Sequence, residues 1–217
     1  VLTCISLFAG CGGSDLGAKM AGIDVVFANE CHRWAAATYG KYKQLIASPS
    51  TELVVGDIRD VKNFPLCDMV IGCYPCQSFT MGGPRHPASD ARTSLYREFL
   101  RCLDIVKPRF FVVENVPGMG WLRQGTFLAE QLEAFSTVGA GYRVNVRLLD
   151  AKDYGVPADR KRLFMVGVRR DLGADYSFPA PTHGSGRDMP YLSHGDAIEG
   201  LPVDAPGEYY TRSGESF

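Results

Sequence analysis

The sequence predicts an α/β protein built on a mostly parallel sheet with helices on both faces. Seven short apolar, β-branched runs recur along the 217 residues, and helix-like stretches lie between them. The runs are near-continuously hydrophobic instead of alternating, as expected of strands covered on both faces. Alternation of strand and helix favours parallel pairing, and ligands of such sheets sit beyond the carboxyl ends of the strands.

Taken in order, the strand-like runs are Leu2–Ala9, Val25–Asn29, Leu53–Val55, Met69–Cys73, Phe110–Val116, Tyr142–Leu149 and Leu163–Val168. The helix-like stretches are Ser14–Met20, His32–Tyr39, Arg92–Val106 and Phe127–Thr137. In the third of these, Leu95, Phe99, Leu103 and Val106 recur at helical spacing and mark a core-facing stripe. From about Ser177 onward the pattern dissolves into Pro, Gly and Ser, and neither strand nor helix is expected. The organisation read from the chain is therefore a main domain over residues 1–176. Residues 177–217 form a linker, a tail or the opening of a further domain.

Composition narrows the class. With 46% hydrophobic and 22% charged residues, the chain is neither disordered nor a disulfide scaffold. No apolar run approaches the roughly 18–20 residues that span a bilayer, no segment reads as a signal peptide, and no membrane partner is expected. The chain opens almost directly inside an apolar run, so a few residues are expected to precede Val1. The net charge of −1 divides unevenly: residues 1–170 carry +5 and residues 171–217 carry −6. A basic body suits a phosphate backbone, whereas an acidic tail suits another protein. Seven cysteines, several inside apolar runs, point to buried free thiols in a reducing compartment. The four histidines lack metal-ligand spacing, so no metal is expected.

The loops after the strands carry the chemistry. The first is Phe8-Ala9-Gly10-Cys11-Gly12-Gly13-Ser14, where glycines permit close backbone approach and a helix start offers free N–H groups. Its spacing lacks the full dinucleotide fingerprint, and a plain tight turn is an equal reading. Glu30 closes the second strand, and an acid ~20 residues after a glycine loop is the usual holder of ribose hydroxyls. Together they point to a nucleoside-containing cofactor. Asp57 could accept from an adenine amine and Ile58 could wall it, although Asp57 alone more often reads as a helix cap or turn residue.

The fourth run leads into Cys73-Tyr74-Pro75-Cys76-Gln77-Ser78. Read as Cys-x-x-Cys this could be a redox pair, but such pairs open a helix and Met81-Gly82-Gly83-Pro84 reads as a loop. A lone thiol nucleophile is the better reading. The fifth run ends in Glu114-Asn115. A carboxyl buried there without a partner favours its protonated form, which suits a general acid beside the thiol; a structural Glu–Asn network is the alternative.

These residues reach a resemblance. Phe-x-Gly-x-Gly, Pro-Cys-Gln and Glu-Asn-Val, in that order and spacing, resemble the DNA cytosine-5 methyltransferase family. Asp90-Ala91-Arg92-Thr93-Ser94-Leu95 and Asp153-Tyr154-Gly155-Val156-Pro157-Ala158-Asp159-Arg160-Lys161-Arg162 agree with it. The match covers about residues 1–170. It implies a Rossmann-like S-adenosylmethionine-dependent methyltransferase fold, with Phe8, Gly10, Gly12, Glu30, Asp57, Ile58, Pro75 and Leu95 at S-adenosyl-L-methionine. It also implies Cys76, Glu114, Arg160 and Arg162 at a cytosine flipped out of double-stranded DNA.

In the implied reaction the Cys76 thiolate attacks carbon 6 of cytosine, which makes carbon 5 nucleophilic toward the cofactor methyl. Glu114 contacts the ring nitrogen and amine and supplies a proton, Arg162 holds the carbonyl oxygen, and Arg160 supports the pocket and Cys76. Loss of the carbon 5 proton then expels Cys76. The loop Met81–Thr93, with Arg85, His86 and Arg92, would close over DNA.

Three departures from the family pattern stand out. Cys31 replaces an aromatic residue over the adenine, Pro157-Ala158 replaces Pro-Gln, and the target recognition domain with its late motifs is missing. The chain therefore reads as one subunit of a split enzyme whose second polypeptide brings those parts, or as a piece of a longer enzyme. Bacterial restriction-modification, with a cytoplasmic location, or a nuclear eukaryotic setting are the contexts implied. The alternatives are a transfer RNA cytosine-5 methyltransferase and an inactive cofactor-binding subunit. The target sequence is not readable, because the residues that read base edges are not in the chain.

Overall fold

The computed structural model describes residues 1–75 and 95–200. It divides into two compact units, one of Val1–Leu149 with Lys161–Pro179, the other of Asp150–Arg160 with the segment that begins at Ala180.

The larger unit is organised by seven strands: β1 (Thr3–Leu7), β2 (Asp24–Glu30), β3 (Glu52–Val55), β4 (Met69–Gly72), β5 (Phe110–Asn115), β6 (Tyr142–Asp150) and β7 (Lys161–Arg169). They form one sheet in the order β3-β2-β1-β4-β5-β7-β6. Each of the seven sequence runs becomes a strand, with no end shifted by more than two residues. The β1–β2, β1–β4, β2–β3 and β4–β5 pairs are parallel, whereas β5–β7 is antiparallel.

The chain winds outward from β1 to β3, returns to β4 beside β1, and winds outward the other way. The switch point therefore lies between β1 and β4, where open sheets of this kind bind ligands. Register aligns the strand ends there: Leu7 pairs with both Asn29 and Gly72, and Gly72 pairs with Val113. Phe8, Glu30, Cys73 and Glu114 consequently emerge along one edge.

Helices cover both faces because successive strand residues point to opposite sides. Cys4, Val25, Ala28 and Ile71 pack with Ala18 of α1 (Gly13–Met20) and with Tyr39 and Ile46 of α2 (Arg33–Ile46). Ile5, Leu7, Phe27 and Phe111 pack with Phe99 and Leu103 of α3 (Tyr96–Val106) and Phe135 of α4 (Thr126–Thr137). The second layer centres on Phe111, whose ring lies 4.9 Å from Phe135, 5.1 Å from Tyr142 and 5.8 Å from Phe99.

Two sequence expectations are corrected. The second helix continues past Tyr39 to Ile46, through Gly40, because Ala36, Tyr39 and Ile46 form one buried stripe whose packing outweighs the glycine. The chain after Ser177 is not without helix: α5 (His194–Ile198) is held by a capping box in which Ser193 and Asp196 satisfy each other's backbone N–H.

The smaller unit contains a short helical turn at Ala151–Tyr154. The Asp153 carbonyl accepts from the Thr182 and His183 N–H groups, and the Tyr191 hydroxyl donates to the Asp153 carboxylate at 3.2 Å. Lys152 pairs with Asp159. Among the described residues no helix is long and apolar enough to cross a membrane.

Candidate active site

The loop after β1 turns sharply before α1 can start. Phe8 has a left-handed backbone (φ 59°), which is uncommon for a bulky residue and costs on the order of 1–3 kcal/mol. Such strain concentrates at binding sites, and here it turns the Phe8 ring into a cavity, edge-on to Tyr74 at a centroid distance of 6.3 Å. Gly12 precedes α1 at φ 89°, and a Cβ there would lie 2.3 Å from the Ile46 side chain. Only glycine fits this position.

Glu30, buried at the end of β2, fixes the same loop from the other side. One carboxylate oxygen accepts from the Gly10 N–H at 2.8 Å and the other from the His32 N–H at 2.7 Å. Each oxygen retains a second lone pair for a ligand hydroxyl. Asn29 beside it donates to the Val54 and Gly56 carbonyls at 3.1 and 3.0 Å, which sets the loop after β3.

That loop carries Asp57 and Ile58. Asp57 accepts from the Arg59 N–H at 2.9 Å and forms a two-pronged ion pair with its guanidinium. The Arg59 bonds hold the Asp57 carboxyl down at about 2. The carboxylate is thus a helix cap, and it also lies in a cavity wall.

These loops enclose a cavity of about 380 Å³ lined by Phe8, Glu30, Asp57, Ile58, Pro75 and Leu95, with Asn29, Cys31, His32, Arg59 and Cys73. The volume falls in the range of roughly 300–1,000 Å³ typical of ligand sites. Six of the eight expected cofactor residues line it. Gly10 adjoins through Glu30, and Gly12 acts behind the wall. His32, Arg59 and Cys73 were not legible as wall residues, because only the fold turns their side chains inward.

The catalytic candidates divide. Glu114 and Arg162 meet in an ion pair, Nε to Oε1 at 2.7 Å, with 29% and 22% of their side chains exposed. Antiparallel register explains the meeting. Glu114 lies opposite Phe164, so Arg162, the second residue of β7, stands diagonally across from it, within reach of a long side chain. The sequence expectation of an unpaired carboxyl is corrected, since its partner arrives from a strand about fifty residues on. Arg160 is exposed in the smaller unit, where its N–H donates to Asp150 Oδ1 at 3.2 Å. Cys76 and the loop Met81–Thr93 lie outside the described residues.

The approach to Cys76 is described up to Pro75. Asn115 donates from Nδ2 to the Tyr74 carbonyl at 3.1 Å, and the Tyr74 hydroxyl donates to Gln131 of α4 at 2.5 Å. Gln131 is fully buried and was not singled out in the sequence, because a lone glutamine in an amphipathic helix carries no signal. These bonds pin the turn that enters Pro75-Cys76.

Cys73 bears on the choice between the two cysteines of the motif. Burial, and then the Glu114 charge, push its thiol up to about 12, so at neutral pH it carries almost no thiolate. Cys67 is raised to about 12 by burial, and burial also raises Cys4 and Cys102 strongly. Alkylation of the folded chain with iodoacetamide at pH 8, mapped by mass spectrometry, is expected to spare Cys4, Cys67, Cys73 and Cys102. Modification of Cys73 at the rate of the exposed Cys11 would contradict this.

Comparison with known proteins fits this geometry. The family model for C-5 cytosine-specific DNA methylase matches residues 2–205. The chain is similar to the type II methyltransferase M.BspRI of Lysinibacillus sphaericus, 38% identical over 96% of this chain and 54% of that protein. It is 36% identical to M.BsuRI of Bacillus subtilis over 96% of this chain and 53% of that protein. The chain thus spans about half the length of these relatives. Against M.AquIA of Picosynechococcus it is 37% identical over 93% of this chain and 90% of that protein. A solved structure described as a DNA modification methyltransferase encoded within an Escherichia coli prophage superposes with a TM-score of 0.77 at 28% identity, covering 97% of this chain and 58% of that one. The Schizosaccharomyces pombe Dnmt2 methyltransferase shares the fold, with a TM-score of 0.60 at 22% identity over 82% of this chain and 53% of that one.

Proposed function

This chain belongs to the C-5 cytosine-specific DNA methylase family, and we propose that it supplies the cofactor pocket and catalytic groups for methylating carbon 5 of cytosine in DNA. Its fold is the Rossmann-like fold of S-adenosylmethionine-dependent methyltransferases. The observation that carries the proposal is the Glu114–Arg162 pair, set on the same strand-end edge as the cavity behind Glu30.

The cavity suits S-adenosyl-L-methionine by its donor set. Glu30 has free lone pairs for vicinal hydroxyls, Asp57 is an acceptor for an exocyclic amine, and Phe8, Ile58 and Leu95 are apolar walls for a flat ring. Bound there, the cofactor supplies an electrophilic methyl group.

The protein groups would act on a cytosine flipped out of the duplex. Cys76 adds to carbon 6 as thiolate, a bond that makes carbon 5 nucleophilic, and leaves when the carbon 5 proton is lost. Glu114 would contact the ring nitrogen and amine. Arg162 holds Glu114 in place and offers a fixed cation to the carbonyl oxygen. We assign reading of the target sequence to residues outside these 217, on the same polypeptide or on a second one. The restriction-modification setting rests on the type II relatives.

The test is transfer of labelled methyl from S-adenosylmethionine to mixed-sequence DNA and, separately, to transfer RNA, with Cys76→Ser as control. Capture of 5-fluorocytosine DNA as a covalent adduct completes it. With the recognition part supplied, Cys76-dependent transfer to DNA is expected; the isolated chain should bind cofactor and methylate poorly. Transfer to RNA alone would overturn the substrate. Cofactor binding without capture, with the recognition part present, would identify an inactive subunit.

A further inference from the structure

One charge at the strand-end edge is left unused by the chemistry above. Asp15, in the first turn of α1, is completely buried. Its carboxylate accepts from Ser6 Oγ of β1 at 2.5 Å, from Tyr39 Oη of α2 at 2.6 Å and from Ser14 Oγ at 3.3 Å. The two short bonds fall in the range of about 2.5–2.7 Å typical of hydroxyls donating to a charged oxygen, so the geometry is that of a carboxylate. Burial raises its pKa above the usual carboxylate range, and the three hydroxyls only partly oppose that rise. Those hydroxyls and the N-terminus of α1 solvate the charge, but among the described residues no cation is paired with it. An uncompensated buried charge is costly, and a positive ligand nearby would offset that cost.

The cavity lies within reach of that charge. Ser6, which bonds Asp15, precedes Leu7, whose carbonyl accepts from the Cys73 N–H at 3.3 Å, and Cys73 lines the cavity. If Glu30, Asp57 and Ile58 hold the nucleoside, the rest of the cofactor is left the wall at Cys73 and Pro75. That wall also touches Glu114 through Cys73, which is where the methyl must be delivered. The sulfur there is a sulfonium cation before transfer and a neutral thioether after it.

We infer that Asp15 is a charge-specificity residue: its buried carboxylate favours the sulfonium cofactor over the neutral thioether product and so promotes their exchange. This rests on the cofactor assignment above. Asp15 lies behind the cavity wall at Cys73 and acts through its field.

Calorimetric titration of the chain with S-adenosylmethionine and with S-adenosylhomocysteine separates this role from a structural one. Asp15→Asn, which is isosteric and neutral, is expected to lower the ratio of the two affinities about tenfold, as loss of one buried charge implies. Tyr39→Phe, which keeps the charge, should leave the ratio unchanged. Equal weakening of both ligands by Asp15→Asn would overturn the inference and leave Asp15 a structural residue. Should Asp15→Asn not fold, the wild-type chain is titrated with sinefungin, whose ammonium replaces the methylated sulfonium. It is expected to bind more tightly than S-adenosylhomocysteine, and binding no tighter would overturn the inference. Failure of the wild-type chain to bind any of these ligands would instead remove the cofactor assignment, and this inference with it.

Discussion

Glu30→Ala is expected to weaken S-adenosylmethionine binding by about 100-fold or more and to cost roughly 2–4 kcal/mol of stability. Two effects add. The side chain accepts from Gly10 N–H at 2.8 Å and His32 N–H at 2.7 Å, and alanine leaves both donors without that partner beside a buried strand end. Hydrogen bonds to a charged group contribute about 1.5–3 kcal/mol each, and water entering the gap recovers part of the loss. The second effect is removal of the acceptor that we propose for the ribose hydroxyls. Glu30→Gln should fall between, because an amide accepts through one atom only and would turn its NH₂ toward one of the two donors. Asp57→Ala is the contrast: Asp57 is only half-buried and engaged mainly by Arg59, so about a tenfold loss of affinity and little loss of stability are expected. Calorimetric titration and thermal unfolding of the three variants decide the matter. Unchanged cofactor affinity in Glu30→Ala would remove the cavity from the proposed site.

The strands were legible because each is a short apolar run between turn residues, and the loops after them carried the chemical signals. What the sequence could not show was which strand stands beside which. Arg162 was legible only through its motif. That it pairs with Glu114 follows from the antiparallel insertion of β7 next to β5, a matter of topology that periodicity does not encode. The expectation of an unpaired carboxyl failed for this reason. Asp15 was invisible for a similar one: an acid in a first helical turn ordinarily reads as a complement to the helix dipole. Its burial depends on Tyr39, 24 residues later, folding over it. His32 and Arg59 were missed as wall residues because each follows a motif acid and reads as an ordinary turn residue. The helix end at Tyr39 was misjudged because Gly40 looks like a stop when the buried stripe beyond it is not yet known.

The Glu114–Arg162 pair yields the other large effect, in the form of the enzyme that turns over. Glu114→Gln is expected to reduce single-turnover methyl transfer by about 10²–10⁴-fold, the usual weight of a positioned proton donor. Arg162→Met should reduce it by about 10²–10³-fold, since it removes the cation offered to the carbonyl oxygen. It also frees Glu114 from the contact at 2.7 Å that orients it. If both side chains act on one ring as proposed, the double variant should be little worse than Glu114→Gln alone, with a coupling energy of about 2–4 kcal/mol. Cofactor affinity should change less than threefold in all three variants, because neither side chain lines the cavity that we assign to the cofactor. A strictly additive double variant would mean that Glu114 and Arg162 serve separate steps and that their ion pair is only a packing contact of the resting protein. A large loss of cofactor affinity would place them in the binding site instead. Non-additive loss of the chemical step with binding intact is the result that fits a carboxyl and a guanidinium held together to grip one base.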